Sequence, residues 1–200
     1  MKRVVLAIAV LAASGAANAA EGESPKEILK GYIENIQGMV GQNRLSGRLS
    51  RSERTKVREI VNSLLDYREL SRRSLDAHWD PRSDKERSNF VSILRRLIEK
   101  NYMSKLRSNA SFTVKYLAEE VDGNRAAVKT MARGGKHRAE IEYRFIKRTK
   151  AGWIVYDLFV DDVSLVENYR EQFDKIIREK STEADGFAHL TAKMKKKLDE

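Results

Sequence analysis

The stretch that decides the fold runs from Gly152 to Phe173 and reads GWIVYDLFVDDVSLVENYREQF. In its first half, residues 153–160 are largely apolar at both alternating sets of positions, which predicts a strand covered on both faces or central in a sheet. In its second half, Ser164 is followed three residues later by Glu167, a pairing that satisfies free backbone N–H groups at a helix start. The apolar residues behind this cap have helical spacing: Val166, Tyr169, Phe173, Ile176 and Ile177.

Three further strands are predicted directly before this stretch, because the apolar pattern there has a period of two. The first alternates from Phe112 to Ala118, the second spans 125–132, and the third spans 137–148. The third is the clearest, since one set of positions is apolar or aromatic while the other is charged; the first set is Ala139, Ile141, Tyr143 and Phe145. Glycine-containing turns separate the strands and predict antiparallel hairpins.

Capping signals predict four amphipathic helices ahead of the strands. Each signal is a Ser or Asp followed three residues later by Glu, and the four cap residues are Ser24, Ser50, Asp66 and Ser83. A sixth helix is predicted from about Asp185. The order of four helices, four strands and two helices predicts an α+β fold, with helices packed on one face of a curved, mostly antiparallel four-stranded sheet.

Composition narrows the function classes. The 200 residues carry 39 Lys and Arg against 29 Asp and Glu, a net charge of +10, so acidic partners are electrostatically favoured. The chain has no cysteine, which excludes disulfides and zinc–thiolate sites. Its histidines, His78, His137 and His189, have no metal-binding spacing. We therefore expect no metal site and no cofactor.

The first residues resemble a secretory signal. Lys2 and Arg3 precede an apolar run of about ten residues, too short to span a bilayer, and Ala17-Asn18-Ala19 fits the small-residue pattern of a cleavage site. We expect residues 1–19 to be a cleaved signal peptide and residues 20–200 to form a single domain. An exported protein would not meet cytoplasmic nucleic acid, which argues against nucleic acid as a partner.

Two questions stay open on the residues alone. Asp157 lies within an apolar strand, so it is either a base in a pocket or a carboxylate paired with an arginine at the sheet edge. The surplus apolar surface of six helices over four strands either closes into a filled core or surrounds a ligand cavity. Periodicity does not separate these alternatives.

The pattern W-x-V-Y-D followed by V-S-L-V-x-N-Y-R-x-Q-F, from Trp153 to Phe173, resembles the signature of the MlaC, or toluene-tolerance, family. Weaker similarity covers most of the remaining chain, including Asp66-Tyr67, Trp79, Phe90 and Tyr102. Asp162 stands where many relatives have glycine, so the geometry of that turn is an open question.

The resemblance implies an NTF2-like cone that encloses an apolar cavity for the acyl chains of a glycerophospholipid. It implies a periplasmic carrier that maintains outer-membrane lipid asymmetry, as a monomer without catalytic residues. Its expected partners are an outer-membrane lipoprotein–porin complex and an inner-membrane ABC transporter with an MCE-type subunit. A periplasmic enzyme using Asp157 with Tyr143 or Tyr156, and a structural adaptor with a filled interior, are the alternatives.

The resemblance also places the residues of its own signature, and we expect their roles to be mostly architectural. Trp153, Val155, Tyr156 and Asp157 are expected in the central strand, and Ser164 is expected to cap the helix. Tyr169 and Phe173 are expected to wedge that helix against the sheet, while Asn168 and Arg170 hydrogen-bond the turn. With the apolar pattern, the resemblance predicts these lipid-binding residues: Leu94, Ile98, Tyr102, Phe112, Val114, Tyr116, Ile141, Tyr143, Phe145, Val155, Tyr156 and Leu158.

Overall fold

The computed structural model describes residues 23–42, 49–108, 112–134, 137–149 and 152–200. The proposed signal peptide, residues 1–19, lies outside the described residues. Within them the helices are α1 Pro25–Gln42, α2 Arg51–Leu64, α3 Tyr67–Leu75, α4 Asp84–Ser108, α5 Leu165–Arg178 and α6 Glu183–Asp199, with a 3-10 turn at Asp76–His78. The strands are β1 Thr113–Asp122, β2 Arg125–Gly134, β3 His137–Arg148, β4 Gly152–Val160 and β5 Val163–Ser164.

The predicted caps form at the helix starts. Ser50 and Glu53 bond reciprocally, with the Glu53 amide donating to Ser50 Oγ at 3.2 Å and the Ser50 amide donating to the Glu53 carboxylate at 2.7 Å. Asp66 accepts from the Glu69 amide at 2.9 Å at the start of α3. The last helix begins at Glu183, two residues before the predicted start at about Asp185, and Thr182 is its cap.

The strands form one antiparallel sheet in the order β1-β2-β3-β4-β5. The α+β prediction is confirmed, and the sheet gains a fifth strand of two residues that is too short to give a periodic signal. The central strand is β3, so the expectation that Trp153 to Asp157 occupy the central strand is wrong. The residues of β4 are apolar at most positions because helices α3 and α5 pack against them near the sheet edge.

One irregularity changes the face of part of β1. The pairing with β2 shifts between Tyr116, which is opposite Thr130, and Ala118, which is opposite Lys129. A bulge of this kind inserts an extra residue, here Leu117, and reverses the alternation beyond it. Strict alternation predicted that Ala118 shares a face with Val114 and Tyr116. This prediction is wrong, because the bulge places Ala118 on the opposite face.

The main core lies between one surface of the sheet and the helices. Phe90 and Leu94 of α4 are fully buried there, with Val128 and Phe145 from the sheet. Phe90 also meets Phe173 of α5 edge to face, with the ring centroids 5.5 Å apart. The helices therefore cover this face of the sheet, as predicted.

Candidate functional site

The helix-facing surface of the sheet follows from the strand register. Residues opposite each other in adjacent strands point to the same side, and Tyr143 is opposite both Val128 and Leu158. Val128 is fully buried in the helix-facing core, so Tyr143 and Leu158 also face the helices. Ile141 belongs to the same face because it lies two residues before Tyr143 in β3, and the pairing of β3 with β2 is regular there.

The predicted lipid-binding residues do not form one continuous surface. Leu94, Phe145 and Val155 are fully buried and Ile98 is nearly so, and all four belong to the core. A second group is only half-buried on the helix-facing side, which leaves part of each side chain accessible: Phe112, Val114, Tyr116, Ile141, Tyr143 and Leu158. We call the five members of this group that lie in strands β1, β3 and β4 the apolar strip, comprising Val114, Tyr116, Ile141, Tyr143 and Leu158. The Tyr102 side chain lies outside the described part of the chain.

The apolar strip carries no formal charge near neutral pH. Burial raises the pKa of Tyr143 to about 12 and that of Tyr116 to about 12, so both phenols stay protonated. The Tyr116 hydroxyl has no hydrogen-bond partner among the described residues. The Thr130 hydroxyl beside it is engaged internally, since it donates to the carbonyl of Ile141 at 3.1 Å. Such a surface suits an apolar ligand better than a charged one.

Tyr156 is separated from the other predicted residues. The β3–β4 register shifts between Phe145, opposite Val155, and Arg144, opposite Asp157. Tyr156 is the additional residue at this bulge, and its ring lies in a different site, described next.

A pocket of about 450 Å³, which we call the arginine pocket, lies between α3, the strands β3 and β4, and the start of α5. Arg144 and Asp157 are opposite each other in these strands, so the sheet contributes its other surface to this pocket. The lining side chains are largely polar: Arg72, Arg73, Asp76, Arg144, Tyr156, Asp157, Phe159, Val166, Glu167 and Arg170.

Asp157 is held by donors from within the protein. Its carboxylate accepts from the Ser164 hydroxyl at 2.7 Å, from the Val166 amide at 3.0 Å and from the Leu158 amide at 2.8 Å. Ser164 in turn accepts from the Glu167 amide at 3.0 Å, which confirms it as the helix cap. These bonds give Asp157 a structural role at the start of α5, through amides and a hydroxyl rather than through the arginine pairing considered above.

The geometry does not assemble both carboxylate–tyrosine pairs considered for an enzyme. Tyr143 and Asp157 point to opposite surfaces of the sheet, while Tyr156 and Asp157 both line the arginine pocket. Across the described ranges, no group of three or more His, Asp or Glu side chains is placed to hold a metal ion.

The turn between β4 and β5 answers the question raised by Asp162. Asp161 and Asp162 both have positive φ, at 48° and 65°. Two successive positive φ values in a two-residue hairpin favour Asn, Asp and Gly, so aspartate is a tolerated substitute for glycine here. Asp161 also binds the neighbouring strand, since its carboxylate accepts from the Glu140 amide at 3.0 Å.

Two expected contacts of α5 are wrong. Asn168 accepts from Gln172 and Arg170 lies 3.5 Å from the carboxylate of Glu167, so both bind within the helix and not to the turn. Helical spacing places each side chain beside a residue three or four positions along, which explains these partners. The arginine pocket itself was not predicted, because its arginines come from segments far apart in sequence and share no motif.

The fold and the apolar strip define an α+β protein with a helical layer over one surface of an antiparallel sheet and accessible apolar side chains between the two. The family model described as MlaC protein matches residues 33–196, and the chain belongs to the MlaC family. No curated protein matches the chain.

A similar solved structure is that of the phospholipid-binding protein from Ralstonia solanacearum in complex with a phospholipid. The match has a TM-score of 0.72 at 18% sequence identity and covers 86% of this chain and 97% of that one. This likeness shows a shared fold. None of the helices in the described part of the chain contains an apolar stretch of the length that a membrane-spanning helix needs.

Proposed function

We propose that this protein is a phospholipid carrier that holds acyl chains between the helical layer and the apolar strip. The observation that carries the proposal is the half-buried, uncharged surface of the strip, which lies beside the core. Membership of the MlaC family supports it, as does the shared fold with a protein solved in complex with a phospholipid. Phe112, Leu94 and Ile98 border the strip in this proposal.

The energetics explain why a carrier needs such a surface. Each methylene removed from water contributes about 0.8 kcal/mol, so exposing one long acyl chain costs on the order of 10 kcal/mol. Unassisted transfer through water is therefore slow. A protein that replaces the lost burial with its own apolar side chains removes most of this cost, and no covalent step is needed.

The site of action and the partners extend the proposal. The signal-like residues 1–19 and the family resemblance favour the periplasm. There the protein, as a monomer, would move phospholipid between an outer-membrane lipoprotein–porin complex and an inner-membrane ABC transporter with an MCE-type subunit. This movement would serve the lipid asymmetry of the outer membrane.

Lipid extraction from variants of the purified protein tests the proposal. Val114→Glu and Ile141→Glu each place a carboxylate on the apolar strip, and we expect both to lower the bound phospholipid measured by mass spectrometry. Thr113→Glu is the matched control, because Thr113 is exposed and lies one residue from Val114 on the other face of β1. Unchanged lipid in folded Val114→Glu and Ile141→Glu proteins would contradict the proposal.

A further inference from the structure

The arginine pocket contains binding groups that acyl-chain carriage does not use. Its arginines come from three separate elements: Arg72 and Arg73 from α3, Arg144 from β3 and Arg170 from α5. The pocket lies on the surface of β3 and β4 opposite to that of Tyr143 and Leu158. A ligand in the pocket is therefore distinct from the acyl chains.

Two of the guanidinium groups are held in place by aromatic rings. The guanidinium carbon of Arg73 lies 4.3 Å from the centroid of the Tyr156 ring, and that of Arg144 lies 5.2 Å from the centroid of Phe159. Stacking of this kind fixes the guanidinium plane, which lowers the entropy lost when a ligand binds to it.

The same two groups retain unused donors. Arg73 donates through Nε to Glu69 at 2.8 Å, and Arg144 pairs through Nε with Glu142. Within the described residues, the terminal nitrogens of Arg73 and Arg144 have no hydrogen-bond acceptor. Each arginine therefore has an ordered plane whose outer N–H groups are free for a ligand.

We propose that the arginine pocket binds a phosphate-bearing anion. Guanidinium groups match phosphate oxygens in a bidentate geometry, and groups from three elements can address different oxygens of one tetrahedral anion. Two sources supply this chemistry, a soluble phosphate ester and a phospholipid headgroup presented by a membrane.

The acidic side chains of the pocket limit what it accepts. Asp76 and Glu167 line it together with Asp157, so three carboxylates accompany four arginines. Glu69 also binds Arg72 and Arg73, and Glu142 pairs with Arg144, so the arginines have little surplus positive charge, which favours an anion with one phosphate over a polyphosphate. Asp157 competes least for the arginines, because its carboxylate already accepts three hydrogen bonds from elsewhere in the protein.

Calorimetric titration of the full-length mature protein with inorganic phosphate and with glycerol phosphate tests the soluble source. Co-sedimentation with phosphatidylcholine vesicles, with and without phosphatidylglycerol, tests the membrane source. The variants Arg73→Lys and Arg144→Lys keep the charge but remove the planar fork, and Arg133→Lys is the matched control on the exposed part of β2. We expect Arg73→Lys and Arg144→Lys to weaken binding by about tenfold or more and Arg133→Lys to leave it unchanged.

Each result decides the proposal. Saturable binding of a soluble ester that depends on Arg73 and Arg144 supports it, and so does binding to vesicles alone with the same dependence, which assigns the headgroup as the source. Absence of both, or equal loss in all three variants, would overturn it.

Amide NMR shifts of Leu158 and Val166 on adding phosphate to the unmodified protein give a reading that needs no variant. Shifts that stay unchanged at a large excess of phosphate would exclude the soluble source. Lipid content measured by extraction is independent of these results and tests the carrier function separately.

Discussion

The Ser164 hydroxyl donates to the buried carboxylate of Asp157 at 2.7 Å while accepting from the Glu167 amide at 3.0 Å. This pair joins β4 to the first turn of α5, because Asp157 also accepts from the Val166 amide. A carboxylate at this end of a helix is further stabilised by the helix dipole. The orientation of α5, and with it the wall of the arginine pocket, depends on these two residues.

Ser164→Ala should lower the free energy of unfolding by about 2 kcal/mol, since it removes a cap and one donor to a buried carboxylate. Urea unfolding followed by circular dichroism measures the change. Thr182→Ala is the matched control, because Thr182 caps α6 through the Asp185 amide at 3.1 Å but binds an exposed carboxylate. If Thr182→Ala lowered the free energy of unfolding as much as Ser164→Ala or more, the role assigned to Asp157 would be contradicted.

Gly186→Ala should destabilise the contact between α5 and α6 by about 2 kcal/mol through overpacking. A Cβ at Gly186 would lie 2.2 Å from the backbone carbonyl oxygen of Ile177, so the helices would have to separate. Gly31→Ala in α1 is the control, because nothing lies within 4 Å of a Cβ there. We expect Gly31→Ala to be neutral or stabilising by up to about 1 kcal/mol from helix propensity. A thermal melt in which Gly186→Ala is as stable as the unmodified protein would refute this close approach.

Asp162→Gly should raise the free energy of unfolding by about 0.5 kcal/mol. Asp162 has a φ of 65°, a conformation that is less strained for glycine than for aspartate. The gain is small because glycine loses more conformational entropy on folding. Asp162→Val should instead be clearly destabilising, because a β-branched residue strongly disfavours positive φ. We therefore expect a higher denaturant midpoint for Asp162→Gly than for Asp162→Val. The opposite order would show that the turn has another conformation.

Stability at acidic pH should depend on Glu69. Hydrogen bonding to Arg72, opposed by burial and reinforced by Arg73, lowers the pKa of Glu69 from 4.5 to about 2. A carboxyl whose pKa is lower in the folded state stabilises the protein above its unfolded pKa and loses that contribution as the pH falls. The contribution, on the order of 3 kcal/mol, should therefore be present at neutral pH and disappear between about pH 4.5 and pH 2.

Comparison with Glu69→Gln isolates this contribution from that of other carboxyl groups. The difference in free energy of unfolding between the two proteins, measured by urea titration at a series of pH values, should shrink as the pH falls through that window. A difference that stays constant down to the lowest pH at which both fold would mean that Glu69 is not stabilised by these arginines.

Local signals in the sequence were sufficient for the six helices and for the four longer strands. Helix starts such as that of α2 were predictable because Ser50 and Glu53 satisfy backbone groups within one turn, a local interaction. The face assignment of β3 was predictable because Ile141, Tyr143 and Phe145 alternate without interruption. The fold class then followed from the order of the elements, since amphipathic helices must cover the sheet.

Interactions between distant segments were not predictable in the same way. The bulges at Leu117 and Tyr156 depend on pairing between strands, and no residue type at these positions marks them. The bulge at Tyr156 explains why this residue, predicted with the lipid-binding group, lies in the arginine pocket. The pocket depends on tertiary placement of Arg73 and Arg144, which are separated by 71 positions in the chain.

The most direct test of phospholipid carriage is photocrosslinking with a phospholipid that carries a diazirine in its acyl chain. After loading, illumination and proteolysis, mass spectrometry identifies the labelled residues. The account predicts labels on the apolar strip, above all on Val114, Ile141 and Leu158, with one lipid or more retained per protein. Labels confined to exposed surface residues, or none on a folded protein, would contradict it.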